Sequence, residues 1–230
     1  MEYEMAAEEW NAIALSVWVA VTAVAVSLPF GIGLGWLLAR KQFLGKAVLE
    51  TCVNLPLVLP PVVTGYLLLV TFGRRGVVGH FLEDWVGIRL VFDWKGAALA
   101  AAVVSFPLMV RTIRIAFASV NPKLENAART LGARPIDAFI SVTLPLAVRG
   151  IIAGSVLGFA RSLGEFGATV MIAGNIEGET RTIPLYIYSQ LESPGGFDRS
   201  TGIILVSIAL AAAALAIGEW LERRSGHLYL

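Results

Sequence analysis

Long stretches without a charged side chain are the feature that most limits how this chain can fold. Residues 11–39, 51–73 and 200–218 contain no Asp, Glu, Lys, Arg or His. A helix needs about 20 apolar residues to cross the hydrocarbon core of a membrane, where an open backbone finds no hydrogen-bond partner. The sequence therefore predicts one membrane-spanning helix in each of these three runs.

Two further spans are predicted from runs that contain a few charges. Residues 96–110 are uncharged but short for a crossing, so we expect the helix to continue through Arg111 and Arg114, whose long side chains can extend to the interface. Residues 150–176 are apolar apart from Arg161 and Glu165 and are predicted to form the fourth crossing. Residues 182–191 could form a short helix or a re-entrant piece, which leaves a sixth embedded segment open.

Composition agrees with this class and excludes several others. The chain has 57% hydrophobic and only 15% charged residues, with a mean hydropathy of +0.73, outside the usual balance of soluble domains. The net charge of +1 lacks the basic excess of a nucleic-acid-binding protein. A single cysteine and two histidines leave no disulfide framework and no structural zinc cluster. We predict an all-α integral membrane protein, a single transmembrane domain over residues 1–230 with about five transmembrane helices.

The distribution of Lys and Arg predicts the orientation. If the N-terminus lies outside, the inner segments carry eleven of these residues and the outer segments six, with Arg161 left inside the membrane. Inner loops carry the excess of positive charge in membrane proteins. We therefore expect the N-terminus outside, the C-terminus inside, and residues 121–145 on the inner side.

Residues 121–145 are predicted to form two short amphipathic helices. Asn121 can cap the first helix, Pro122 suits its first position, and Gly132 ends it. Pro135 then begins the second helix. Each helix has apolar side chains at the spacing of one helical face; these are Leu124, Ala127, Ala128 and Leu131 in the first and Ile136, Phe139, Ile140 and Thr143 in the second.

This segment resembles the coupling loop of bacterial ABC-importer permeases, whose pattern is Glu-Ala-Ala, three residues, Gly, nine residues, Ile, any residue, Leu-Pro. Asn126 stands where the pattern has Glu, Glu125 lies one position earlier, and Val142 replaces Ile. The matching positions are Ala127, Ala128, Gly132, Leu144 and Pro145. In that family the loop docks into the cytoplasmic ATPase subunit. The resemblance implies docking by Leu124, Glu125, Asn126, Ala127, Ala128, Leu131 and Gly132. The alternative is an amphipathic helix on the lipid headgroups.

Other segments look like the molybdate-type permeases of this family. They are NLPLVLPPVVTGYLLL at residues 54–69, GRRG at 73–76, SFPLMVRTIR at 105–114, and ARSLGEFGATVMIAGNIEGETRTIP at 160–184. Sulfate and thiosulfate permeases share much of the RSLGEFG stretch, so that stretch is typical of tetrahedral-oxyanion importers in general. The GRRG motif and the proline-rich run favour molybdate, and a sulfate or thiosulfate permease is the alternative.

The resemblance implies a membrane subunit that forms a transport pathway as a homodimer. Its partners would be two ATPase subunits, an extracytoplasmic molybdate-binding protein and the lipid of a bacterial or archaeal cytoplasmic membrane. The imported ion would be molybdate or tungstate. The chain has no GxxxxGK[ST] motif, so we predict that it is not an enzyme, binds no cofactor of its own, and that ATP and magnesium are used by the ATPase.

Pro60 and Pro61 are candidates for lining the pathway. Proline removes a backbone donor and must kink or break the second span. Irregular backbone within a membrane is tolerated where it is buried in protein or lines a cavity. A static kink filled by packing is the alternative.

Four charged residues are the other pathway or gate candidates. Arg161 and Glu165 are spaced to pair on one helix face, which favours a structural pair over a transport or gate role. Arg74 and Arg75 are placed at the outer mouth, where they could attract an anion, or could belong to a solvated loop.

Two other functional classes fit the sequence less well. A stand-alone secondary transporter would need repeat symmetry and coupling carboxylates near the midplane, where Glu165 is the single candidate. An intramembrane enzyme would need a nucleophile–base pair, metal-ligand spacing or a carboxylate dyad, and we find none in the sequence.

Overall fold

The computed structural model describes residues 7–193 and 196–226, and within these ranges the chain forms helices and turns but no strand. The helices are α1 (Ala7–Arg40), α2 (Lys46–Val58), α3 (Pro61–Phe72), α4 (Val77–Phe81), α5 (Trp94–Ser119), α6 (Pro122–Thr130), α7 (Pro135–Ala138), α8 (Leu144–Leu163), α9 (Gly167–Ala173), α10 (Ile183–Leu191) and α11 (Gly196–Gly226). Two π-helical turns, Leu82–Val86 and Phe139–Thr143, follow α4 and α7.

Four helical stretches are long and apolar enough to cross a membrane, namely Ala7–Arg40, Trp94–Ser119, Pro135–Leu163 and Ser200–Leu221. The pair α2 and α3 passes the same test when taken together, although the two helices are bent by 113° at their junction. With the bent pair as one span, the described part of the chain has five candidate crossings. The predicted all-α membrane architecture is confirmed.

Helix α5 lies at the centre of the bundle, where α1, α8 and α9 pack against it. Its first half is rich in buried alanines, which allow neighbouring helices to approach closely. Its second half places Met109, Ile113 and Phe117, each 0% exposed, in a cluster with residues of α1 and α8. The predicted continuation of this helix beyond Arg111 and Arg114 is confirmed, since α5 runs to Ser119.

The predicted crossing over residues 150–176 is wrong in its bounds. Its helix begins earlier, ends at Leu163, and is followed by the separate helix α9 after a break at residues 164–166. Glu165 lies within this break, and its carboxylate accepts a hydrogen bond from the Ala168 N–H in the first turn of α9. Residues 183–191 form α10, a nine-residue helix that is too short to cross a membrane.

The two ends of the bundle carry different segments. At one end, Glu8 of α1 lines a small cavity together with Glu177 and Arg181 from the loop after α9. At the other end, the Arg40 guanidinium at the end of α1 donates to the Val120 carbonyl at 2.8 Å. Residues 121–143 therefore lie at the end opposite Glu8.

Candidate docking loop and membrane pathway

Helix α6 begins as the sequence predicts. The Asn121 side chain accepts a hydrogen bond from the Lys123 N–H at 3.0 Å, and Pro122 occupies the first helical position. The cap satisfies one of the backbone donors that a helix start leaves unpaired.

The end of α6 is also fixed by backbone geometry. Gly132 has a φ of +96°, a conformation that favours glycine. The Gly132 N–H donates to the Arg129 carbonyl and the Ala133 N–H donates to the Ala128 carbonyl, each at 3.1 Å. This pair of bonds is the Schellman arrangement, which closes a helix firmly.

The docking loop, residues 121–143, exposes several large apolar side chains. Leu131 is 89% exposed, Ile136 71% and Ile140 57%, while Leu124 is about half exposed. Asn126 and Ala127 are exposed as well, and Ala128 is half-buried. A contiguous exposed apolar surface usually marks a site of interaction with a protein or a membrane.

The second apolar stripe does not form one face, so that prediction is wrong. Ile136 and Ile140 are exposed, whereas Thr143 is fully buried and Phe139 is half-buried. The π-helical turn over Phe139–Thr143 explains the split, because its hydrogen bonds span five residues instead of four and change which side chains share a face.

Phe139 anchors the docking loop to two spanning helices. Its ring lies edge-on to Trp36 of α1, with ring centroids 5.7 Å apart, and 6.0 Å from the ring of Phe117 of α5. Aromatic pairs at these distances stabilise a contact beyond the burial of their area. The loop therefore has an outward apolar face and an inward aromatic anchor.

Glu125 differs from the other predicted docking residues. Its carboxylate accepts a hydrogen bond from the buried Thr143 hydroxyl at 3.1 Å, and its side chain is half-buried. The structure thus directs this carboxylate toward the base of α8. The sequence contained no signal for this contact, which joins residues eighteen positions apart.

The break between α2 and α3 lies at Leu59 and Pro60, both of which have extended backbone angles. Pro61 is the first residue of α3. The prediction that prolines break this span is confirmed. Helix α2, which is described in full, has no buried residue, and its exposed side chains include Thr51 and Asn54.

Close packing joins α3 to α9. A Cβ atom on Gly65 would lie 2.7 Å from the Ala168 Cα atom, and one on Gly167 would lie 2.8 Å from the Pro61 Cβ atom. Both distances are shorter than ordinary van der Waals contact, so only glycine fits. The break before α3 and the break before α9 therefore lie side by side.

Arg161 and Glu165 form the predicted ion pair, at 2.8 Å between Nη1 and Oε2. Glu165 lies beyond the end of α8, so the two residues are not on one helix face as predicted. The Glu165 side chain is 2% exposed, and its other oxygen accepts from the Ala168 N–H at 2.9 Å. Both carboxylate oxygens are thus occupied in bridging α8 to α9.

Arg74 and Arg75 differ in their surroundings. Arg74 contacts the Glu83 carboxylate at 3.4 Å, and Arg89 contacts the same group at 2.9 Å. The hydrogen bond from Arg89 and the charges of both arginines hold the pKa of Glu83 below its usual range. Arg75 is exposed and, within the described part of the chain, forms no ion pair.

Arg74, Glu83 and Arg89 line a cavity of about 320 Å³ together with apolar side chains such as Phe72 and Phe92. Glu83 offsets the charge of Arg74, which weakens the predicted attraction of an anion to that residue. Sequence reasoning missed Glu83 and Arg89, although the mixed charges of residues 83–89 were a signal that this loop forms ion pairs.

Residues 31–227 match the family described as "Binding-protein-dependent transport system inner membrane component". The chain is 58% identical over 217 residues to the molybdenum transport system permease protein ModB of Escherichia coli strain K12, covering 94% of this chain and 95% of that protein. It is 51% identical to the ModB protein of Haemophilus influenzae, covering 94% of each chain. The sulfate transport system permease protein CysW of Synechocystis is more distant, at 34% identity over 94% of this chain and 78% of that protein.

Solved structures with the same fold include a bacterial alginate ABC transporter in complex with a periplasmic protein. Its chain aligns with a TM-score of 0.75 at 19% identity, covering 96% of this chain and 80% of that one. The MetNI methionine ABC transporter, in inward-facing conformations, aligns with a TM-score of 0.66 at 17% identity, covering 94% of each chain.

Proposed function

The chain belongs to the family of binding-protein-dependent transport system inner membrane components, and from this premise we propose that it is the membrane subunit of an ATP-driven importer of molybdate and tungstate. The choice of ion is supported by the 58% identity to a protein named as a molybdenum transport permease. The exposed apolar face of the docking loop is the structural observation that carries the proposal.

The docking loop would bind the ATPase subunit, one on each of two copies of this chain. Leu131 projects from the end of α6 with 89% of its surface exposed. A short helix that presents a few apolar side chains suits a groove on another protein. ATP and magnesium would be used by that partner.

A second copy of this chain would complete the transport pathway. Helix α2 has no buried residue, and the exposed Asn54 and Thr51 lie within an uncharged run. Both side chains donate to carbonyls of their own helix, but the amide oxygen of Asn54 would be costly against lipid tails, which favours a protein surface or a water-filled path next to it. The extended backbone at Leu59 and Pro60 supports the same assignment, because irregular backbone within a membrane lines cavities.

Orientation follows from the same proposal. An ATPase that docks on residues 121–143 places that end in the cytoplasm, so the N-terminus lies outside and the C-terminus inside. The excess of Lys and Arg in the predicted inner segments supports this orientation. The binding protein would then dock at the outer end, near Arg74 and Arg75.

Transport by a reconstituted complex tests the substrate. Vesicles that contain this chain and its ATPase, with the binding protein outside, should accumulate molybdate and tungstate only when ATP is supplied. Sulfate uptake should be far weaker. Sulfate uptake that matches molybdate uptake would favour the sulfate alternative, and uptake by the chain alone without ATP would reject the importer.

Co-purification tests the docking surface. Leu131→Asp should release the ATPase, because a carboxylate would replace an apolar contact at the centre of the interface. Val77→Asp is the matched control, since Val77 is 90% exposed but lies in the opposite outer loop. If both variants retain the ATPase equally, the apolar face lies on lipid headgroups instead.

A further inference from the structure

We propose that Glu125 is a positioning residue that ties the docking helix α6 to the base of α8 through the Thr143 hydroxyl. The inference rests on the proposed function, because it concerns how motion of the ATPase reaches the membrane helices. It assigns Glu125 to an internal contact within the permease, in place of a contact with the ATPase surface.

The geometry of the contact supports this role. The Thr143 hydroxyl lies 3.1 Å from the Glu125 carboxylate, and Thr143 is 0% exposed. Thr143 is the last residue before α8 begins at Leu144. The bond therefore connects a helix at the surface of the molecule to the π-helical turn that leads into α8.

Helix α6 has few other ties to the bundle. It contains no buried residue, and it packs mainly against α7 and the π-helical turn over Phe139–Thr143. A hydrogen bond to an ionised carboxylate is roughly twice as strong as one between neutral groups. Loss of this bond would leave α6 free to move against α8.

The residue next to Glu125 has different surroundings. Asn126, at the position where the family pattern has glutamate, is exposed, whereas Glu125 is half-buried. Two adjacent residues on a helix point about 100° apart, so they cannot both face the same partner squarely. Asn126 faces outward, and Glu125 faces Thr143.

The test measures molybdate imported per ATP hydrolysed, in vesicles that hold the chain, its ATPase and the binding protein. Thr143→Val keeps the shape of the side chain but removes the hydroxyl, and Glu125→Ala removes the acceptor. Each variant should lower this ratio by about five-fold, in line with the strength of a charge-assisted hydrogen bond. The ATPase should still co-purify in normal amounts.

The double variant and a conservative variant make the result specific. Thr143→Ser keeps the hydroxyl and should retain most of the coupling. The double variant Glu125→Ala with Thr143→Val should be no worse than either single one, since both remove the same interaction. Amide hydrogen exchange in residues 122–130 should be faster in all three variants that break the bond.

Two outcomes would overturn the proposal. If Thr143→Val imports normally while Glu125→Ala is impaired or loses the ATPase, Glu125 is a docking contact. If both single variants import normally, the bond has no role in coupling. Failure of the wild-type chain to bind an ATPase at all would reject the importer itself, which is a different result.

Discussion

Two breaks between consecutive helices lie side by side in this bundle but are built differently. The break between α2 and α3 rests on prolines, contains no charged group and borders a helix with no buried residue. The break between α8 and α9 contains Glu165, which is buried, paired with Arg161 and bonded to the first turn of α9. We call the α2–α3 break open, because no side-chain bond crosses it. We call the α8–α9 break closed, because the Glu165 carboxylate bonds to both of its sides.

The chain at a break between two helices is thus held in two different ways. Proline prevents the chain from continuing as a helix but adds no bond across the gap. A carboxylate that serves as both ion-pair partner and helix cap connects the two sides directly. The α8–α9 break should therefore be the rigid support, and the α2–α3 break the more adaptable surface.

The largest expected effect comes from breaking the charge pair. Glu165→Ala removes the partner of Arg161 and the cap of α9, and loss of one member of a buried pair can cost about 3 to 5 kcal/mol. Arg161 is one-third exposed, so we expect a loss nearer to about 3 kcal/mol. The midpoint of thermal unfolding in detergent and the amount in the membrane measure this loss.

A double variant is the control for that prediction. Arg161→Gln with Glu165→Gln removes both charges and should recover part of the stability lost by Glu165→Gln alone. A double variant that folds normally but transports less than either single variant would instead indicate separate transport roles for the two residues.

A smaller effect is expected where the two breaks touch. Gly65→Ala would place a methyl group 2.7 Å from the Ala168 backbone, and overpacking of this kind costs roughly 1 to 3 kcal/mol. Gly33→Ala is the matched control, because a Cβ atom at this helical glycine meets nothing within 4 Å. Equal unfolding temperatures for the two variants would contradict the close packing of α3 on α9.

Replacing both prolines of the open break should affect transport more than stability. The double variant Pro60→Ala with Pro61→Ala restores two backbone donors and frees residues 59 and 60 to adopt helical angles, while the free energy of unfolding should change by less than about 1 kcal/mol. ATP-driven molybdate uptake should fall, because α2 and α3 can then align more nearly as one helix. Normal uptake with normal stability would mean that the bend is a static feature.

The smallest effect concerns the charged residues that follow the C-terminal end of α3. The pKa of Glu83 is lowered in the folded chain, mainly by its hydrogen bond with Arg89. The stabilisation of the folded segment by ionised Glu83 is therefore fully present above the usual titration range of a glutamate. It is lost as the pH falls through the lowered pKa. The protection of amides in residues 82–92, measured relative to the intrinsic exchange rate at each pH, should fall on acidification, and Glu83→Gln should remove that pH dependence.

The open break could be predicted from the sequence, and the closed one could not. Prolines act locally, so Pro60 and Pro61 were sufficient to predict that the second span is interrupted. The break at residues 164–166 lies in an apolar stretch where Glu165 was readily paired with Arg161 on a continuous helix. The bond from the Ala168 N–H to the Glu165 carboxylate depends on where α9 packs against α3. Local sequence spacing gives no signal for that position.

The docking loop shows the same division between local and long-range signals. Asn121, Pro122 and Gly132 fix the ends of α6 through local backbone preferences, and these predictions are confirmed. The direction of Glu125 and the inward turn of Phe139 depend on residues far away in the chain. The family resemblance assigned Glu125 to docking, and helical spacing placed Phe139 on one apolar stripe with Ile136 and Ile140.

The position of Phe139 between Trp36 and Phe117 has a mechanical meaning. Rings from α1, the docking loop and α5 interlock at one end of the bundle, and a close-packed cluster of this kind resists sliding of one member past the others. A force applied to the docking loop by a bound protein would therefore reach α1 and α5 together, through one aromatic cluster.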